Sequence, residues 1–225
     1  PPPLTRLTGG TTVAETHLLE LDNISKYYGN IVALKDVSTS VNAGEVTCVL
    51  GDNGAGKSTF IKILAGAHQQ SEGSIRLNGE EVSFANPREA LAAGIATVYQ
   101  DLAMVPLMSV WRNFFLGSEP TRRLGPLKWI DKSKAKRIAK DELLKMGIDI
   151  RDTEQPVGTL SGGERQRVLV AKAVATEADV LLLDEPITGL DLPSQARILE
   201  VIDDHARSGG SVVFSTHHLG EASRA

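Results

Sequence analysis

Three short segments carry the residues that can act on a phosphate chain. The first is Gly51-Asp52-Asn53-Gly54-Ala55-Gly56-Lys57-Ser58, followed by Thr59. Glycines at 51, 54 and 56 let backbone amides surround phosphate oxygens, Lys57 brings a point charge to the β and γ groups, and the Ser58 hydroxyl is a ligand for Mg²⁺. The loop Gly51, Asp52, Asn53, Gly54, Ala55, Gly56, Lys57, Ser58 and Thr59 is therefore read as a nucleotide-binding segment. The second segment, Val180-Leu181-Leu182-Leu183-Asp184-Glu185, is weaker alone, since buried strands often end in acids. Beside the loop those acids acquire a chemical role. Asp184 is expected to hold Mg²⁺ through its water shell, and Glu185 to orient and polarise the attacking water.

The third segment is Leu160-Ser161-Gly162-Gly163-Glu164. Ser-x-x-Glu is a capping box, so the bland reading is the start of a helix running through Val168, Ala171 and Ala175. A cap needs no glycine pair, however. Gly162 and Gly163 leave the helix N-terminus bare, and its free amides and positive dipole end can then meet a γ-phosphate. Lys57 already serves the chain's own nucleotide. Ser161, Gly162 and Gly163 are therefore expected to face ATP held by a second copy of the chain.

The elements that must position these groups are legible in outline. Leu19, Leu21 and Ile24, then Val32 and Leu34, predict an antiparallel pair of strands joined at Gly29-Asn30. From Val46 the pattern is strand, Gly-rich loop, helix, and further strands are predicted at Ile95 to Tyr99, Asp179 to Leu183 and Ser211 to Ser215. Between Asp101 and Pro156 the pattern shifts toward helix, with Asp131 as a cap, Ala135, Ile138, Leu143 and Met146 as the apolar face, and Gly147 as the stop. The fold class expected is α/β: a P-loop core with a mainly parallel sheet, an antiparallel β subdomain, and an inserted helical subdomain at about residues 101 to 165. Residues 1 to 16, with three leading prolines and few large apolar side chains, are expected to be a flexible tail.

Composition narrows the class. The 225 residues suffice for a sizeable core, and 41% hydrophobic with 23% charged is ordinary for a globular domain. No apolar run approaches the roughly 20 residues of a membrane-crossing helix. A net charge of -4 gives no basic footprint for nucleic acid. The lone Cys48 lies in the run Val46-Thr47-Cys48-Val49 and reads as a small buried hydrophobe. With no disulfide framework and no secretory signal, a reducing cytoplasm is expected.

The three segments, in this order on one chain, resemble the nucleotide-binding subunit of ABC transporters, and the likeness extends from about His17 to the C-terminus. The resemblance implies an ATPase with ATP and Mg²⁺, working as a homodimer on a transmembrane permease at the cytoplasmic face of the inner membrane, with a periplasmic sugar-binding protein as an indirect partner and no nucleic acid. It also implies further roles. Tyr28, before Gly29, would stack on adenine in preference to Tyr27. Gln100 would link Mg²⁺ and the water to the helical subdomain. Asp191, in Thr188-Gly189-Leu190-Asp191, would couple the two sites across the dimer, and is otherwise a helix cap. His217, after Thr216, would contact the γ-phosphate in preference to His218, while His17, His68 and His205 carry no such pattern. The catalytic set is then Glu185, His217 and Gln100, and the metal set Ser58, Gln100 and Asp184.

Three departures from the family pattern stand out. Ile187 replaces the Thr more usual after Glu-Pro, a change expected to be tolerated. The chain ends at Ala225, soon after His217, where family members continue with further strands, so a shortened C-terminus is expected. A second ATPase half is absent, and a homodimer would supply the same site.

The segments Ala85-Asn86-Pro87-Arg88-Glu89-Ala90, Gly94 to Leu102, and Asn113-Phe114-Phe115-Leu116-Gly117 resemble the monosaccharide-import branch. Met104, Val105, Leu107, Met108, Trp111, Phe114 and Phe115 form an apolar cluster with two readings, a groove for a permease helix or internal packing. A soluble ATPase of the same type in DNA repair or translation would share every catalytic residue. Those proteins usually carry a long coiled-coil insertion or tandem ATPase halves, and this chain has neither. An ATPase of the same family for another substrate is the remaining alternative.

Overall fold

The computed structural model describes residues 17–100, 104–124, 127–150 and 152–217. The expected tail at 1–16, Asp101, Leu102, His218 and the residues to Ala225 lie outside these. The chain begins with β1 (Leu19–Tyr28) and β2 (Ile31–Val41), antiparallel partners joined at Gly29-Asn30. β4 (Glu72–Leu77) and β5 (Glu80–Val82) complete an antiparallel sheet of order β2-β1-β4-β5. A second sheet is wholly parallel. It holds β3 (Val46–Leu50), β6 (Ile95–Val98), β9 (Val180–Asp184) and β10 (Ser211–Thr216) in the order β3-β10-β9-β6.

Alternation along the parallel strands divides the core. Val180, Leu182 and Val213 face α1 (Lys57–Leu64) and the antiparallel sheet, in one cluster with Ile61, Leu64 and Leu19. Leu181, Leu183, Val212 and Phe214 face the other way, onto α5 (Gly162–Val174) and α6 (Leu192–Arg207). Side chains on neighbouring positions of a strand point to opposite faces, so a strand buried on both sides must be apolar throughout. β9 obeys this until its last residue, Asp184, and β10 over Val212 to Phe214; Ser211, Ser215 and Asp184 replace hydrocarbon on the α1 side. Cys48 departs from its expected burial: it is half-buried against the α5 and α6 cluster, and among the described residues β3 pairs on one side only, with β10.

A third cluster sits apart, built from α3 (Val110–Phe114), α4 (Lys132–Lys145), residues 148–160 and the inner face of α5. Asp131 caps α4 by accepting from the Lys134 amide, and Gly147 ends it at φ 68. The buried stripe is Ala135, Ala139 and Leu143, with Ile138 only half-covered. Here the segment departs from the all-helical expectation, for an antiparallel hairpin, β7 (Thr121–Leu124) and β8 (Leu127–Ile130), precedes α4. α2 (Pro87–Ala92) is a short helix capped by Asn86, whose side chain accepts from the amides of Arg88 and Glu89. The motif around Asn86-Pro87 thus has a local structural cause.

The apolar cluster around Trp111 divides by burial. Trp111 and Phe114 are each 2% exposed and lie in the third core, whereas Leu107 is 91% exposed and Val105 43%. Internal packing therefore claims the large aromatic side chains.

His205, near the end of α6, is held below its ordinary range by burial, against the opposing attraction of Asp179. The folded protein takes up this proton only at lower pH than the unfolded chain does, so the stability tied to neutral His205 is intact above about pH 6.5 and is lost as pH falls through the lowered folded value. Urea unfolding of His205→Gln should show a shallower loss of stability than the parent as pH falls below about 6.5. Equal slopes for the two proteins would contradict it.

Candidate functional site

The C-terminal ends of the parallel strands bring the predicted residues together. β3 runs into the Gly-rich loop, β6 ends just before Gln100, β9 ends at Asp184-Glu185, and β10 ends just before His217. Gly56 ends the loop at φ 89, and a Cβ there would lie 2.3 Å from the Ala33 carbonyl oxygen of β2. Only glycine fits on both counts. The helix that follows, α1, has no side-chain cap, so its first amides are left for an anion.

Glu185 is the hub. Its Oε1 lies 3.6 Å from the Lys57 ammonium, with both side chains nearly buried, and its Oε2 accepts from Gln100 Nε2 at 3.2 Å and lies 3.6 Å from His217 Nδ1. Residues from four separate strand ends thus meet at one carboxylate. Lys57 also donates to the carbonyl oxygens of Gly51 and Asp52, at 2.8 and 3.0 Å. Asp184 Oδ1 accepts from Ser58 Oγ at 3.1 Å and from Ser215 Oγ at 2.6 Å. Hydroxyl and carboxylate oxygens converging beside the Gly-rich loop are hard donors of the kind that suit Mg²⁺. Tyr99, next to Gln100, has its hydroxyl pushed up by burial and then by the nearby Asp184 charge.

Tyr28 is 42% exposed, with the His68 ring edge-on at 5.9 Å and the Lys26 ammonium 5.1 Å from its centroid. His68 thus gains a partner that its sequence context did not indicate. Tyr27 is engaged elsewhere, donating its hydroxyl to Glu72 Oε2 at 3.1 Å, which leaves Tyr28 as the aromatic face at the turn.

The Ser161 to Glu164 segment forms the complete capping box. The Ser161 hydroxyl accepts from the Glu164 amide at 3.2 Å, and Glu164 Oε2 accepts from the Ser161 amide at 2.8 Å, which holds that carboxyl below its usual range. The two glycines differ. Gly162 opens onto free space, whereas a Cβ on Gly163 would lie 2.9 Å from Ser194 Oγ of α6. Gly163 therefore has a packing reason within the chain, and among the described residues Gly162 has none. Asp191 is the N-cap of α6: its side chain accepts from the Ser194 amide at 2.8 Å, and bonding to Ser194 holds its carboxyl low. Ile187 is 1% exposed within the α5 and α6 core, so the hydrocarbon that replaces Thr is used in packing.

A family model described as "ABC transporter" matches residues 34–188. The chain belongs to the ABC transporter family. Solved ABC cassettes share its fold: a nucleotide-free ATP-binding cassette from an ABC transporter superposes with a TM-score of 0.79 at 28% identity, covering 92% of this chain and 83% of that one. A dimeric cassette in a post-hydrolysis state bound to ADP and Pi gives 0.78 at 25% identity, covering 92% and 91%. Among curated ABC relatives, a xylose/arabinose import ATP-binding protein of Sulfolobus acidocaldarius is 39% identical over 90% of this chain and 79% of its own length. A fructose import ATP-binding protein of Rhizobium meliloti is 40% identical over 92% and 81%. A Pseudomonas syringae pv. syringae protein named for ribose/galactose/methyl galactoside import is 40% identical over 95% of this chain, but the chain spans only 40% of that relative's length.

Proposed function

We propose that this ABC chain binds ATP and Mg²⁺ and hydrolyses ATP at an interface between two copies, driving monosaccharide import through a partner permease. The convergence of Lys57, Gln100 and His217 on Glu185 carries the reading. A carboxylate that takes a proton from an attacking water must stand within reach of that water beside the phosphates, and these contacts hold Glu185 beside the Gly-rich loop. In this reading Lys57 and the loop amides bind phosphate oxygens, Tyr28 stacks on the base, and Gln100 and His217 orient the water and the γ-phosphate. Ser58 and Asp184, with Gln100 nearby, would hold Mg²⁺, which when bound neutralises charge on the β- and γ-phosphates.

Gly162 supports a site shared between copies, since among the described residues nothing lies within 4 Å of where its Cβ would stand at the α5 N-terminus. Ser161, Gly162 and Gly163 would reach the partner's ATP, and Asp191 would couple the two sites. Residues 17–225 act as the ATPase domain in this proposal, with about 101–165 as its helical subdomain. Among the described residues no helix is long and apolar enough to cross a membrane, and a peripheral place on the cytoplasmic face beneath a permease suits that. The sugar-import names of the relatives support the substrate class, with a periplasmic sugar-binding protein as the indirect partner.

Mixed chains test the shared site. Lys57→Ala removes the phosphate cation and Gly162→Asp blocks the open helix end, so each homodimer should be nearly inactive. Mixing the two should assemble one intact site per heterodimer, giving roughly half the parent's activity for a heterodimer and about a quarter for a 1:1 mixture that pairs by mass action. No recovery from a demonstrated heterodimer, or parent-level activity from a Gly162→Asp homodimer, would defeat the proposal.

A further inference from the structure

We propose that Ser215 is a positioning residue for both site acids, its single hydroxyl fixing the carboxylate of Asp184 and the main chain of Glu185 together. The inference deepens the ATP-hydrolysis reading and rests on it. Ser215 lies on β10, between β3 and β9, in direct register with Asp184. It is fully buried. Its Oγ donates to Asp184 Oδ1 at 2.6 Å and accepts from the Glu185 amide at 3.0 Å. A hydroxyl has one proton to give, and here the proton is directed to the carboxylate while a lone pair takes the amide.

The second bond is the unusual one. Glu185 sits at φ 50, a left-handed conformation that costs a residue bearing a Cβ and that persists only where its surroundings hold it. The Glu185 amide, just past the end of β9, is received by Ser215 Oγ, and the left-handed φ turns the chain and side chain that follow that amide. The rotation aims the Glu185 side chain across the strand ends toward Lys57, Gln100 and His217. The first bond constrains the other acid. With Ser215 and Ser58 both donating to Oδ1, the Asp184 carboxylate is set in one orientation beside the loop.

Packing alone does not call for serine at this place. It follows the apolar run Val212-Val213-Phe214 on the same strand, and Val213, two residues back on the same face, is hydrocarbon, so an apolar residue would extend that face. A buried serine is tolerated because both of its hydrogen-bonding functions are met. The same reasoning predicts that a residue of matching shape without the hydroxyl leaves Asp184 and the Glu185 amide short of a partner each.

Threonine and valine have nearly the same shape and differ by the hydroxyl, so comparing Ser215→Thr with Ser215→Val separates the hydroxyl from any effect of added volume, with Ser215→Ala as the smaller control. The readouts are kcat and KM for ATP hydrolysis, and Mn²⁺ affinity of the ATP-loaded protein by electron paramagnetic resonance, the latter in a Glu185→Gln background where turnover is suppressed. Ser215→Val and Ser215→Ala should lose about 10- to 100-fold in kcat with KM within about threefold, and should weaken Mn²⁺ several-fold, while Ser215→Thr recovers most of both. Equal kcat and equal Mn²⁺ affinity for the threonine and valine proteins would overturn the proposal. A parent protein that binds ATP and never hydrolyses it would defeat the hydrolysis reading instead, and a Mn²⁺ difference between threonine and valine would then still uphold the role of Ser215 in setting Asp184.

Discussion

Glu185→Gln should keep ATP affinity close to that of the parent while slowing hydrolysis by roughly 10² to 10⁴-fold, the usual worth of a positioned general base. The substitution retains size and one acceptor oxygen, so Gln100 keeps a partner, but it removes the charge that faces Lys57 at 3.6 Å and the basicity that takes the water's proton. Binding is expected to survive because the loop amides, Lys57 and Tyr28 are unchanged. The measurement is steady-state phosphate release in the presence of a permease, with ATP binding followed by calorimetry. Turnover within about threefold of the parent would remove Glu185 from the role of base.

The second large effect concerns the fold. Trp111→Asp should lower stability by more than about 4 kcal/mol, since it combines the loss of a large buried aromatic with the burial of an unpaired carboxylate. Trp111 is among the largest fully enclosed side chains and shares its cluster with Phe114, Ala135, Leu143 and Val168. Leu107→Asp, at a side chain 91% exposed, should change stability by no more than about 0.5 kcal/mol. Urea unfolding of the pair distinguishes them. If Leu107→Asp also abolishes permease pull-down while still binding ATP, the exposed Val105 and Leu107 are the docking side chains of that segment. A stable, folded Trp111→Asp protein would show that this indole is not part of a core.

What the sequence made legible is what local chemistry dictates. The Gly-rich loop, the helix caps at Ser161 and Asp131, and the turn at Gly29-Asn30 each follow from the conformations and hydrogen bonds open to a few consecutive residues. The parallel strands were visible because strands buried on both faces must be apolar without a break. The remainder depends on neighbours remote in the chain. Ser215 reads as an ordinary strand residue until register sets it beside Asp184. Gly163 looks equivalent to Gly162 until α6 brings Ser194 against it. The β7 and β8 hairpin was missed because its strands have four residues each and include exposed cations, too short and too polar to show a period. The cluster around Trp111 had no period either, so burial and exposure could be assigned to its members only in three dimensions.

The strand order has a consequence for biosynthesis. β3, which runs into the Gly-rich loop, and β9, which carries the acids, do not touch each other in the sheet; β10 lies between them and is the last described strand to leave the ribosome. At about 5 to 20 residues per second, the loop emerges roughly ten to thirty seconds before the strand that joins it to its acids. Until then β9 is paired only with β6 and its other edge is open, as is the β3 edge that will meet β10, a state in which nascent chains pair wrongly or attract chaperones. Premature stops before β10 should therefore yield aggregates rather than weakened enzymes, and the folding barrier should be dominated by the entry of one central strand.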